Sequence, residues 1–175
     1  MAGVEPLYVD YASAVDSDQW GLRPEFFTHD CVYRHQPRKI HECGFLLATL
    51  SFTSKGMLRD RVYGIKETLF HEPYCRRHIV GTPVVRRIEE DRSECEANHA
   101  MVRTKLSEAN TVFSVGRNID TVVKTPLSLK FARRECIYDS KMVSNSIIYP
   151  ICGTHERNTP NGSMRLPLTT CPMTM

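Results

Sequence analysis

The sequence predicts an α+β fold in which N-terminal helices pack on one face of a curved, mainly antiparallel sheet. Apolar residues recur at helical spacing in the N-terminal third and again over residues 57–70, whereas residues 74–149 form short runs with the alternation typical of strands. Helices that precede a block of strands favour an α+β arrangement. The length of 175 residues suits a single domain with one hydrophobic core.

The first helix is predicted from apolar residues that recur on one helical face. These residues are Leu7, Tyr11, Ala14 and Val15, and the polar residues 16–18 end this helix or cap the next one. A second, short helix is predicted where three large aromatic residues follow: Trp20, Phe26 and Phe27. Their bulk is enough to anchor this helix on the core.

The clearest helix is predicted over residues 57–70. Its apolar residues lie on one face at i, i+4, i+7 and i+11, and they are Leu58, Val62, Ile65 and Leu69. The helix cannot continue through Pro73, because proline has no backbone N–H and its ring clashes with the preceding turn.

Strands are predicted from the remaining apolar runs. They cover residues 31–34, 78–80, 84–85, 96–105, 110–116, 127–138 and 147–149. Turn residues at 28–30, 108–110 and 116–118 separate several of them, and residues 81–83 (Gly-Thr-Pro) predict a bend or bulge. Residues 152–175 have no periodicity, so we expect them to be poorly ordered or draped over a partner.

Composition excludes several classes of function. Hydrophobic and charged fractions of 41% and 25% are ordinary for a globular protein, and a net charge of +3 is too small to indicate nucleic-acid binding. No apolar run approaches the roughly 20 residues of a membrane helix, and no signal peptide is visible, so no membrane partner is expected. Seven irregularly spaced cysteines predict reduced thiols and a cytoplasmic location.

Three histidines at regular spacing form the first candidate metal site. His29, His35 and His41 are six residues apart, and a continuous strand would place them on one face. Pro37 interrupts that strand, and no nearby carboxylate completes a ligand set. We therefore expect exposed turn histidines.

Two CxxH motifs form the second candidate metal site. Cys75 and His78 have the spacing of half of a Rieske-type cluster site, as do Cys152 and His155, but the CxH other half occurs nowhere in the sequence. The sequence also lacks a GxSxG elbow, a GxGxxG turn and a P-loop. We predict no metal ligands, no cofactor-binding residues and no nucleophile in this chain.

General acid–base catalysis is the alternative that the residues leave open. A cone-shaped α+β fold can enclose a pocket in which a buried carboxylate, histidine or tyrosine has a shifted pKa. The candidates are Asp30, Tyr33, Tyr63, His78 and Asp139. No spacing in the sequence groups them, which favours structural roles: Asp30 capping a turn, tyrosines at core edges, and His78 hydrogen-bonded at an interface.

Three segments carry a resemblance to a known family. They are residues 60–68 (DRVYGIKET), 77–83 (RHIVGTP), and 138–140 with 145–151 (YDS and NSIIYPI). Together they resemble the small (beta) subunit of aromatic ring-hydroxylating oxygenases, over roughly residues 7–151. Within that family the chain is most similar to the small oxygenase subunit of salicylate 5-hydroxylase, with subunits for terephthalate, anthranilate or halobenzoates as close rivals.

The resemblance implies both a fold and a set of partners. It implies an NTF2-like (cystatin-like) cone for residues 1–151, with residues 152–175 as an extension beyond the usual end of the family chain. The partner is a large alpha subunit, commonly in a complex of three alpha and three beta chains. The alpha chain holds a Rieske 2Fe-2S cluster and a mononuclear non-haem iron, which an NADH-dependent reductase and a ferredoxin supply with electrons.

The resemblance also implies a structural, non-catalytic role for this chain. We then expect a partner surface around Arg61, Tyr63, Arg77 and His78, because tyrosine and arginine are common interface anchors. The alternative is a stand-alone NTF2-like isomerase, dehydratase or epoxide hydrolase that uses Asp30, Tyr33 or His78 as its acid or base.

Overall fold

A computed structural model describes residues 3–67, 74–105 and 108–140. Its helices are α1 (Glu5–Asp16), α2 (Arg38–Glu42) and α3 (Lys55–Glu67), with a 3₁₀ helix at Trp20–Phe26. Its strands are β1 (Phe27–Pro37), β2 (Leu50–Phe52), β3 (Tyr74–Val80), β4 (Val84–Ile88), β5 (Arg92–Lys105), β6 (Thr111–Lys124) and β7 (Leu129–Tyr138). Helices therefore precede the main block of strands, as predicted.

The strands of the described residues form one sheet in the order β2-β1-β7-β6-β5-β3. The pair β1–β7 is parallel and the other pairs are antiparallel. Strands β3 and β4 both pair with β5, so residues 81–83 form the predicted bend between them. Register shifts within β5–β6 and β6–β7 mark bulges, which bend a sheet and increase its twist. This is the predicted α+β architecture.

The helices α1 and α3 and the 3₁₀ helix share one hydrophobic core with one side of the sheet, which we call the inner face. Tyr11 lies at the centre, with edge-to-face contacts to Phe26, Phe27 and Phe131 at centroid distances of 5.6–5.9 Å. Such aromatic pairs add to the stabilisation from burial. The opposite side of the sheet is the outer face.

The two main helices confirm the sequence periodicity. All four apolar positions predicted for α1 are buried, and so are Leu58, Val62 and Ile65 of α3. Pro6 and Glu5 stand in the first turn of α1, where a missing N–H is harmless and a negative charge is favourable. Leu69 of the predicted helix lies outside the described residues, as do residues 147–149 and 152–175.

Two predicted turns are wrong. Residues 28–30 lie within β1, whose register is irregular between Phe27 and Val32. Residues 116–118 lie within β6, and Gly116 is required there for another reason. A Cβ atom at Gly116 would collide with the Ile137 carbonyl oxygen and lie 2.8 Å from the Tyr138 Cα. The glycine thus permits close approach of β7, not a chain reversal.

Candidate functional site

The candidate site is the interior of the cone, where five strands direct polar side chains at the helices. A cavity of about 30 Å³ lies there. Its lining residues are Tyr11, Ala12, Tyr33, His78, Val80, His99, Asn118, Arg134 and Cys136. This volume accommodates about one or two waters, whereas sites for organic ligands typically measure about 300–1,000 Å³. This cavity is therefore too small for an organic ligand of ordinary size.

Of the residues proposed as acids or bases, Tyr33 and His78 reach this cavity and the others do not. Asp30 does not line the cavity, because its side chain is 96% exposed and its Oδ1 lies 2.9 Å from His29 Nδ1. Asp139 is exposed and pairs with Arg38 at 3.4 Å. Tyr63 is exposed on α3. The structure thus brings together two of the five candidates.

His78 is held by the carboxyl end of α1. Its Nδ1 lies 2.5 Å from Asp16 Oδ1, and its backbone N–H donates to Asp16 Oδ2 at 2.9 Å. Burial acts to raise the pKa of Asp16, but the hydrogen bonds from His78 outweigh it and hold that pKa below its usual value. These two bonds join β3 to α1 and orient the imidazole.

Arg76 reinforces the same junction from the inner face. Its guanidinium binds the Asp18 carboxylate, donates to the Val15 carbonyl at 3.4 Å, and lies 5.3 Å from the Trp20 ring centroid. An arginine stacked on an aromatic ring while paired with a carboxylate is well suited to a buried position.

The centre of the inner face holds a buried ion pair. Arg134 Nε lies 3.9 Å from Asp120 Oδ1, and both side chains are almost inaccessible. The Arg134 guanidinium also lies 4.4–5.2 Å from the rings of Phe131, Tyr11 and Tyr8. Burial raises the pKa of Asp120 to about 6, although Arg134 acts to lower it. Loss of either Asp120 or Arg134 would be strongly destabilising, because the other charge would remain buried without its partner.

Two histidines of the interior were missed by the sequence analysis. His35 is fully buried, not exposed as predicted, and it stacks on Tyr138 at a centroid distance of 4.5 Å. Burial lowers the pKa of His35 to about 3 and, with the nearby Arg134 charge, that of His99 to about 4. Both imidazoles are therefore neutral at pH 7. Among the predicted turn histidines, His29 is exposed and His41 is hydrogen-bonded to Gln36 at 2.8 Å.

The CxxH motif at Cys75 does not form a metal site. Cys75 and His78 are three residues apart in β3, so their side chains point to opposite faces of the sheet. Cys75 is exposed on the outer face, whereas His78 lines the cavity. Across residues 3–67, 74–105 and 108–140, no three His, Cys, Asp or Glu side chains are placed to share a metal ion. The second motif lies outside the described residues.

The four residues predicted for a subunit interface lie in different environments. Arg61 is half-buried on α3 and Tyr63 is exposed on the same helix. Arg77 is exposed on the outer face, because its neighbours Arg76 and His78 point inward. The sheet therefore separates Tyr63 from Arg77. Their presence at an interface stays a prediction.

Within the described part of the chain, no helix is long and apolar enough to cross a membrane.

Residues 1–135 match the family model of the SnoaL-like domain. The chain belongs to this family. The match agrees with the fold, because helices on a mainly antiparallel sheet form the NTF2-like cone predicted above.

This SnoaL-like chain is similar in sequence to an oxygenase small subunit and in fold to several solved structures. It is 29% identical to the anthranilate 1,2-dioxygenase small subunit of Burkholderia cepacia over 141 residues, which cover 81% of this chain and 88% of that protein. A Novosphingobium aromaticivorans structure assigned as the beta subunit of an aromatic-ring-hydroxylating dioxygenase has a TM-score of 0.76 and 23% identity, covering 86% of this chain and 94% of that one. A structure from the same organism assigned as a scytalone dehydratase has a TM-score of 0.60 and 20% identity, with coverages of 78% and 82%. Both structural likenesses concern the fold.

Proposed function

We propose that this chain is the non-catalytic small (beta) subunit of a multicomponent aromatic ring-hydroxylating oxygenase. The observation that carries the proposal is the small cavity among the described side chains of the cone, which at about 30 Å³ is too small for an aromatic substrate. The similarity to the anthranilate 1,2-dioxygenase small subunit supports it. At the cavity His78 is hydrogen-bonded to Asp16, and Arg134 is paired with Asp120, as in a structural interior.

In this proposal the chemistry belongs to a large alpha subunit. That subunit would hold the Rieske 2Fe-2S cluster and the mononuclear iron, and a ferredoxin and an NADH-dependent reductase would deliver the electrons. The small subunit would support the alpha chain in a complex of three alpha and three beta chains, in the cytoplasm. The sequence predicts Arg61, Tyr63, Arg77 and His78 as contact residues, and of these four Arg77 lies exposed on the outer face of the sheet.

The proposed substrate class is an aromatic acid, with salicylate preferred. The relative from Burkholderia cepacia is named for anthranilate, which like salicylate is a benzoate with a hydrogen-bonding substituent beside the carboxylate. The substrate would be bound by the large subunit, so this chain does not select among aromatic acids.

Coexpression with the large-subunit gene from the same genome tests the proposal. The complex should elute as one particle, hydroxylate salicylate or anthranilate when the electron-transfer proteins are added, and carry all of its iron and sulfide on the large chain. Stoichiometric iron and sulfide in the purified small chain would overturn the proposal. So would failure of the two chains to associate.

A stand-alone NTF2-like enzyme is the second candidate. One observation favours it: Asp16 orients His78 at a cavity that Tyr33 also lines, as an orienting carboxylate holds a catalytic base. The cavity volume counts against it. If the isolated chain converted a small carbonyl or hydroxyl compound and His78→Gln abolished this turnover without unfolding the chain, this candidate would replace the first.

A further inference from the structure

An apolar surface lies on the outer face of the sheet, on the side away from α1 and α3. We name it the outer patch, and its residues are Ile79 on β3, Ala100 and Val102 on β5, and Val112 and Val115 on β6. In the sheet register Ile79 lies beside Ala100 and Ala100 beside Val115, while Val102 lies beside Val112. Neighbouring strands are about 4.8 Å apart, so these side chains form one continuous surface.

The outer patch exposes large apolar side chains. Ile79 is 60% exposed, Val112 67% and Val115 46%. Single exposed apolar residues are common, but a contiguous apolar patch across three strands is typical of an interaction site. The patch lies on the face of the sheet, so a partner would cover it by side-chain packing and not by adding a strand.

Arg77 adds a charge to this surface. It lies beside Val102 in the register and is exposed. Several other arginines on the sheet have carboxylate partners, such as Arg117 with Glu96 at 3.2 Å and Arg133 with Glu135 at 2.6 Å. No described carboxylate forms an ion pair with Arg77. Its forked guanidinium is therefore available to a carboxylate of another protein.

This combination indicates the kind of partner. A two-fold contact between copies of this chain would use the same patch on both sides, and the patch contains no carboxylate that could pair with Arg77 of the other copy. A different protein with an apolar surface and an acidic residue supplies that carboxylate. We infer that the outer patch and Arg77 form the docking surface for the large oxygenase subunit. This inference rests on the proposed function and places the contact on the outer face, away from α3.

Lysine substitutions in the patch test the inference in the full-length protein. Ile79→Lys, Val112→Lys and Arg77→Glu alter exposed positions, and each should raise the dissociation constant for the large subunit at least tenfold. The matched control is Val9→Lys, an equally exposed apolar position on α1. It should leave association unchanged. Circular dichroism of each small subunit checks that the fold is retained.

The outcomes distinguish this inference from the proposed function. If the wild-type chains do not associate, the proposed function fails and the inference fails with it. If they associate and the patch variants bind as tightly as wild type, only the inference is wrong. A stronger effect of Tyr63→Lys on α3 than of Val112→Lys would also move the contact to the helix side and overturn it.

Labelling of Val112→Cys by a maleimide identifies the occupant directly, read by mass spectrometry on the peptide that contains residue 112. We expect rapid labelling in the isolated subunit and protection in the complex. Protection in the isolated subunit that increases with protein concentration would assign the patch to a second copy. Protection independent of concentration would assign it to another part of this chain, and both results overturn the inference.

Discussion

The inner face of the sheet carries polar side chains around a small cavity, whereas the outer face carries exposed apolar side chains. The inner face holds side chains of the types from which enzymes build active sites, including Tyr33, His78, His99 and Arg134, and the cavity that these four line measures about 30 Å³. The outer face presents exposed valine and isoleucine side chains beside Arg77. The small cavity on the inner face and the exposed apolar residues on the outer face both support the proposed role in assembly.

The two faces should also differ in how substitutions affect folding and association. Inner charges have been removed from water and depend on one another, so a change there should affect folding. Outer residues remain hydrated in the isolated chain, so a change there should affect association and leave folding intact. The predictions below test this division, beginning with the largest expected effect.

Arg134→Met should strongly destabilise the fold through the inner face. The change leaves the Asp120 carboxylate buried without its counter-charge and removes the cation beside three aromatic rings. We expect the free energy of unfolding at pH 7 to fall by about 3–5 kcal/mol, as measured by urea denaturation. Arg134→Met with Asp120→Asn should recover part of this loss. A loss below about 1 kcal/mol for the single variant would contradict a closed, mutually dependent interior.

Gly116→Ala tests how closely β7 packs against β6. The added Cβ would collide with the backbone at Ile137 and Tyr138, which are part of a strand and cannot yield as a flexible side chain can. We expect a loss of about 3 kcal/mol in the free energy of unfolding, by the same denaturation assay. Val115→Ala, one residue away on the exposed face, is the matched control and should cost less than about 1 kcal/mol. Equal losses would show that β6 and β7 are not so closely packed.

His35→Leu should reduce the loss of stability that the protein suffers in acid. The folded-state pKa of His35 is about 3, below the ordinary value of 6.5, so its neutral form supports folding fully above pH 6.5 and this support is lost as pH falls toward 3. Leucine does not titrate. Between pH 7.5 and pH 5 the unfolding free energy of the variant should therefore gain about 2 kcal/mol relative to wild type.

The remaining inner titrating groups cancel in that comparison. His99, with its pKa lowered to about 4, and Asp120, with its pKa raised to about 6, are present in both proteins. Tyr138→Phe keeps His35 and its stacking partner, so it should keep the wild-type loss of stability in acid. If His35→Leu and wild type lose stability in parallel, His35 is accessible to protons and the interior is more open than described.

Arg77→Ala should have the smallest effect on the fold. Its free energy of unfolding should stay within about 0.5 kcal/mol of wild type, while its affinity for the large subunit falls about tenfold. Activity should decrease with assembly and recover when the small subunit is added in excess. Arg76→Ala, the neighbouring inward arginine, should instead lose stability because Arg76 binds Asp18 and the Val15 carbonyl. Normal assembly with slow turnover in Arg77→Ala would give Arg77 a role in chemistry or electron transfer.

Local patterns in the sequence predicted the structure where they were strong and did not where they were weak. In α1 and α3 a single apolar stripe repeats with the helical period, so both helices and their buried residues could be predicted. In the strands both faces carry polar residues, so the alternation of apolar and polar residues did not show which face of the sheet is the inner face. Arg134 and Glu135 are adjacent, for example, yet Arg134 faces the cavity and Glu135 binds Arg34 and Arg133 on the other side.

The histidines show the same limit. His29 and His35 have equal phase in an ideal strand, but the irregular register between Phe27 and Val32 interrupts the alternation, leaving His29 exposed and His35 buried. Similarly, Gly116 is of a residue type common in turns, and its place within a strand is explained by the close approach of β7. In both cases the deciding contact comes from elsewhere in the fold.

The sequence by itself determined the α+β class, the two main helices, the bend at residues 81–83 and the resemblance to oxygenase small subunits, because these depend on neighbouring residues and on their order. The tertiary structure decided which polar residues meet and which surface stays open. The sheet order is not the chain order, with β1 beside β7 and β3 beside β5. Asp16 therefore meets His78 from 62 positions away, and Ile79, Ala100 and Val115 become neighbours on one face. Such long-range pairings depend on the packing of the whole chain, which no local period encodes.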